Sequence, residues 1–160
     1  MLQILQQWTE TNAFFIWLRE SPSIWAYPTV FFLHTLGLVF TAGACIIINM
    51  RVLGAAPQLP VRALARFYRP IWIAFWLTAA SGVVMLASDL QTRLTNHLFP
   101  IKMLFVVAAV ALTMVTQRRI EQWNAPSAAR SAGSTRALAA ASLVCWLGAI
   151  AAGRFMAYFQ

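Results

Sequence analysis

Charge is what this sequence has least of. Only 10% of its 160 residues are charged, and the acids are rarest: four Asp and Glu against twelve Lys and Arg. At 61% hydrophobic content, so few ions cannot cover a soluble surface, which excludes a soluble domain and leaves an integral membrane protein too short for more than one compact unit. Lysine is reduced to Lys102 alone. Cysteine is reduced to Cys45 and Cys145, both inside apolar runs, without CxxC spacing or a neighbouring metal ligand, and these read as buried, inert thiols. No Lys or Arg occurs in the first 18 residues, so the basic n-region of a secretory signal is missing and no cleavage is expected. The formal charge of +8 raises the question of nucleic acid, but the arginines fall between apolar runs, a placement that speaks for topology and against a nucleic-acid partner.

What is present is a set of long apolar stretches. Residues 25–49, WAYPTVFFLHTLGLVFTAGACIIIN, carry no ionisable side chain of ordinary charge except His34, and at about 1.5 Å per residue they suffice to cross a hydrocarbon core of roughly 30 Å. Three further spans are expected at about 70–88, 100–116 and 137–159, with Pro70 and Pro100 in the opening turns, where a missing N–H costs nothing. Residues 1–22 mix aromatics with Gln, Thr, Asn and Glu and are expected to lie at the membrane boundary as an interfacial amphipathic segment. The expectation is an all-α fold: an integral membrane four-helix bundle over residues 23–160 with an N-terminal interfacial helix. Counting from His34 at helical spacing gives Leu38, Thr41, Cys45 and Asn49, with Gly37 alongside, a small and weakly polar stripe that should face protein. Thr78, Ser81, Gly82 and Met85 form a similar face on the second span. The stretch 89–99 reads as a short polar loop, and 117–136, rich in Ser, Ala, Gly and Pro, as a mobile one.

The connections set the orientation. Those after the first and third spans hold Arg51, Arg62, Arg66, Arg69, Arg118, Arg119, Arg130 and Arg136 against Glu121 alone. The opposite side holds Arg19, Arg93, Lys102 and Arg154 against Glu10, Glu20 and Asp89. Positive loops stay in the cytoplasm, so both termini are expected on the periplasmic side of a bacterial inner membrane.

Depth then groups the ionisable residues. At about 1.5 Å per residue, His34 lies roughly 13 Å below Trp25, Arg154 about 8 Å below Phe159 and Lys102 about 5 Å below Phe99, all in the outer half. Asp89, Arg93 and His97 crowd the same side from the loop above. A histidine low in a site with cations above it matches the needs of haem b: neutral imidazole ligates iron, and Lys and Arg neutralise the propionates. His34 is the candidate iron ligand, Lys102 and Arg154 the candidate propionate partners. His97 as a second ligand is strained, because two axial nitrogens on one iron stand only about 4 Å apart while His97 lies some 13 Å shallower than His34. Each residue also has a plainer reading: His34 as an interhelical hydrogen bond, Lys102 and Arg154 as snorkelling cations, His97 as a solvated loop residue.

The runs HTLGLVFTAGACIIINMRVLG, RFYRPIWIAFWLTAASGVVML, FPIKMLFVVAAVAL and GRFMAYF resemble a group of four-helix bacterial membrane proteins, distantly similar to the CopD-type copper-resistance domain and to HemJ-like haem-binding proteins. The HemJ-like resemblance implies haem binding and protoporphyrinogen oxidation tied to His34 and Lys102. PIKM, however, stands where that group carries a histidine-containing HxK, so binding is implied before catalysis. The CopD resemblance implies copper handling, for which soft Cu(I) wants thiolate or thioether donors. The leading expectation is a haem b redox or electron-transfer protein. Its partners would be the lipid bilayer and either other membrane redox subunits or a second copy. The alternatives are a non-catalytic scaffold or accessory subunit and a CopD-like copper or small-solute handling protein.

Overall fold

The polar residues scattered through the first 22 positions produce two short helices. α1 (Leu2–Thr11) and α2 (Ala13–Glu20) are separated by Asn12, whose side-chain oxygen accepts the Phe14 N–H at 2.9 Å and caps α2. Phe15 and Leu18 are buried with Ala26, beside Val30, Val84 and Ala87, while Trp8, Phe14 and Trp17 stay exposed. One face is thus clamped to the bundle and the other presents aromatic rings outward.

The computed structural model describes residues 2–122, 125–156 and 158. α3 (Tyr27–Leu53) opens on Pro28 and ends at Gly54, whose φ of 119° a side chain would strain; the Ala55 N–H closes on the Met50 carbonyl at 2.9 Å. A 3₁₀ turn, Val61–Phe67, leads into α4 (Tyr68–Ser88) with Pro70 in its first turn. α5 (Leu90–Thr95) precedes α6 (Leu98–Glu121), whose first turn holds Pro100 and whose Leu98 N–H is taken by the Asn96 side chain at 2.9 Å. α7 (Ala125–Phe155) completes the chain. Four helices are long and apolar enough to cross a membrane: Tyr27–Leu53, Ala63–Ser88, Leu98–Glu121 and Gly133–Phe155. The fold is all-α, a four-helix bundle of membrane-spanning type.

The connections are more helical than the sequence suggests. The expected loop 89–99 contains α5, six residues that are too few to show a period. In 117–136, α6 runs on to Glu121 and α7 begins at Ala125, because alanine outweighs the glycine and serine, and Pro126 falls at the start of the helix where proline is tolerated. Phe159, the expected outer end of the fourth span, lies outside the described residues.

Packing is uneven around the bundle. α3 lies against α4 and α7, and α6 against α7, whereas α4 and α6 have little direct backbone contact. The core of Ala42, Cys45, Ile48, Tyr68, Ile71, Ala109, Ile120, Ala139 and Trp146 fills the half of the bundle toward the arginine-rich connections. Some polar groups inside it are paired across helices: Asn49 donates to Ser142 at 3.1 Å, and the Trp146 indole donates to Thr113 at 3.1 Å, whereas the Thr41 and Thr116 hydroxyls are buried with no partner among the described residues. The expected stripe of α3 does face protein, with Gly37, Thr41, Cys45 and Asn49 buried and His34 and Leu38 half-buried.

Two glycines explain the closeness of these helices. A β-carbon on Gly37 would run into Thr78 Oγ1 and stand 2.9 Å from the Ala74 carbonyl, and one on Gly148 would stand 2.9 Å from the Phe105 ring. Gly43 has open space around it. Gly37→Ala should therefore force α3 from α4 and cost about 1–3 kcal/mol of stability. Gly43→Ala should be neutral or stabilise by about 0.5–1 kcal/mol through helix propensity. Unfolding midpoints of the two variants in one detergent check this, and equal midpoints would contradict it.

Candidate functional site

His34 sits two turns into α3, at the end of the bundle that carries both termini, and points at α4. Its Nδ1 is 3.0 Å from the Thr78 carbonyl and 3.2 Å from Ser81 Oγ. A carbonyl can only accept, and the Ser81 hydroxyl is itself directed to the Leu77 carbonyl at 2.7 Å, so both partners call for a proton on Nδ1. In the neutral ring Nε2 then keeps its lone pair, which is how histidines that ligate metals are held. Gly82 makes the fit possible: a β-carbon there would stand 3.1 Å from His34 Cε1.

Lys102, one turn into α6, is half-buried and lies along α7, where a β-carbon on Gly153 would be 3.5 Å from its Cε and 3.7 Å from its Nζ. Arg93 comes in from α5. Its Nη2 donates to the Tyr27 hydroxyl at 3.2 Å, and its Nε is buried with no hydrogen-bond partner among the described residues. Lys102 and Arg93 both lie within electrostatic reach of His34, and Arg93 within reach of Lys102. Asp89 and Glu10 line the recess of about 470 Å³ that Arg93 also lines, yet among the described residues neither forms an ion pair with it. The cluster is thus a histidine and two cations with unspent positive charge, a setting in which an anion is favoured.

No protein-family model matches the chain, and no curated protein or solved structure matches it significantly. The site therefore stands on its own residues.

The candidates of the sequence are only partly brought together. His34 and Lys102 come within electrostatic reach of each other. Arg154 is exposed, with Nη2 donating to the Tyr158 hydroxyl at 3.3 Å and its guanidinium 5.6 Å above that ring, so its charge is held at the rim. His97 is exposed immediately before α6 and caps nothing. Arg93 takes the place that the depth count assigned to Arg154. Its signal in the sequence was only its presence among polar residues, since nothing there reveals that α5 turns it inward. Cys45 is buried in the core with Thr113 Oγ1 3.9 Å from its sulfur, and among the described residues no group of three or more His, Cys, Asp and Glu gathers to hold a metal ion.

The hydrogen-bond geometry fixes a tautomer that can be read directly. In ¹⁵N-histidine-labelled protein purified without added haem, the His34 ring should show a protonated Nδ1 and an unprotonated Nε2. A spectrum with the proton on Nε2 would contradict the pairing with Thr78.

Proposed function

We propose that the protein binds haem b at the end of the bundle bearing both termini and serves membrane electron transfer, alone or as a subunit of a larger redox complex. The reading is carried by one observation: His34 Nδ1 is committed to the Thr78 carbonyl, which leaves the Nε2 lone pair free to bind a metal, within electrostatic reach of two cations that have no carboxylate partner among the described residues. That donor set suits a group needing one imidazole nitrogen and carrying acidic arms. His34 would supply the nitrogen that holds the iron, and Lys102 and Arg93 the charge partners of the two carboxylates. The buried, unpartnered Nε of Arg93 fits this role, since leaving such a donor unsatisfied is costly. Bound haem supplies a one-electron iron couple. The chain's part is to orient the ring of His34 through Thr78 and Gly82 and to hold positive charge at the bilayer boundary. The imbalance of loop charge supports placing the arginine-rich connections in the cytoplasm and the termini in the periplasm of a bacterial inner membrane.

A second reading, a scaffold without a prosthetic group, is favoured by the same His34 to Thr78 bond, because an interhelical hydrogen bond beside Gly37 and Gly82 also serves to lock α3 on α4. The visible spectrum of detergent-purified protein given haem separates the two. A Soret band that shifts on dithionite reduction is expected for wild type and lost in His34→Ala. Arg93→Gln should weaken haem affinity about tenfold, as loss of one charge-assisted hydrogen bond implies, while Arg154→Gln and His97→Ala leave it near wild type. A colourless wild type supports the scaffold.

A further inference from the structure

At the opposite end of the bundle the loose seam between α4 and α6 forms a groove of about 560 Å³. It is independent of the His34 cluster. Its apolar wall is aromatic, Trp72 and Trp76 of α4, so it can accept a hydrocarbon chain lying along the helices. Its polar end is built from three residues. Arg69, in the first turn of α4, and Glu121, the last residue of α6, carry opposite charges on facing helices and form no ion pair with each other. Tyr68 is 2% exposed and lines the groove, and its hydroxyl has no hydrogen-bond partner among the described residues, although Glu121 lies within electrostatic reach. The ring is buried while the residue lines the groove, so its hydroxyl is available to donate to an occupant there. Gln117 fixes the far wall: it accepts from the Trp72 indole at 2.8 Å and donates to Glu121 Oε1 at 2.8 Å, leaving the other carboxylate oxygen available.

We propose that this groove is a binding site for one phospholipid with a phosphoethanolamine headgroup. The phosphate sits on Arg69 and the Tyr68 hydroxyl, the primary ammonium on Glu121, and an acyl chain lies against Trp72 and Trp76. Both charged residues stand at helix ends, at the level where headgroups lie. The chemistry distinguishes among lipids. Phosphatidylglycerol offers Glu121 no cation, and phosphatidylcholine offers it a cation without an N–H to donate.

Native mass spectrometry of the full chain, delipidated in detergent and given equal amounts of phosphatidylethanolamine, phosphatidylglycerol and phosphatidylcholine, tests the site. One phosphatidylethanolamine should be retained, with a preference of about tenfold over each competitor, the worth of one charge-assisted hydrogen bond. Glu121→Gln should erase the preference over phosphatidylcholine, and Arg69→Gln and Tyr68→Phe should each lower retention of all three lipids. Arg69 and Glu121 are exposed, so folding of those variants is not at issue, and an unchanged elution volume verifies it for Tyr68→Phe. Equal retention of the three lipids, a preference that survives Glu121→Gln, or displacement of the lipid by an equimolar isoprenoid quinone would overturn the assignment. A wild-type protein that stays colourless when given haem yet passes this test would refute the haem reading and leave the lipid site standing.

Discussion

The close approach of α3 to α4 is the constraint on which the terminal end of the molecule depends. Gly37 removes a side chain so that the Thr78 and Ala74 backbone can come near, and Gly82 removes another so that the His34 ring can approach α4. Only at that separation does His34 Nδ1 reach the Thr78 carbonyl. Helices in lipid gain little from burying apolar area against each other, so packing of small residues and a few hydrogen bonds must hold them. Here one contact both joins the helices and orients the imidazole.

The two ends of the bundle divide the remaining work. Toward the arginine-rich connections, the core is closed by Ile120, Tyr68, Trp146 and the Asn49 to Ser142 bond. Toward the termini, the packing is thinner and ionisable groups collect: His34 from α3, Arg93 from α5, Lys102 from α6. Positive charge without carboxylate partners is costly in an apolar setting, and such residues inside a membrane protein call for a functional explanation. α1 and α2 roof this end through Phe15 and Leu18, which keeps Tyr27 and the arginine it holds in place.

Much of the fold was legible in the sequence because the bilayer restricts the solutions. Apolar runs of spanning length and Pro70 and Pro100 at helix starts are local signals, and the structure follows them; the first helix runs past the expected end at Asn49 to Leu53, where Gly54 stops it. The small stripe from Gly37 to Asn49 was legible for the same reason. Where the reading stopped short, the deciding information was not local. Six residues of α5 show no periodicity, yet they carry Arg93 inward. A depth count along one helix grouped Arg154 with His34 and Lys102 but could not say that Tyr158, one turn on, would hold its guanidinium. Depth is one coordinate; rotation about the helix axis needs the neighbours.

Electron paramagnetic resonance of oxidised, haem-loaded protein tests most directly whether His34 is a lone axial ligand. The account predicts a high-spin ferric signal, as a single imidazole on one face of the iron gives, present in wild type and in His97→Ala and absent in His34→Ala. A signal that persists without His34, or a low-spin spectrum that depends on His97, would contradict it.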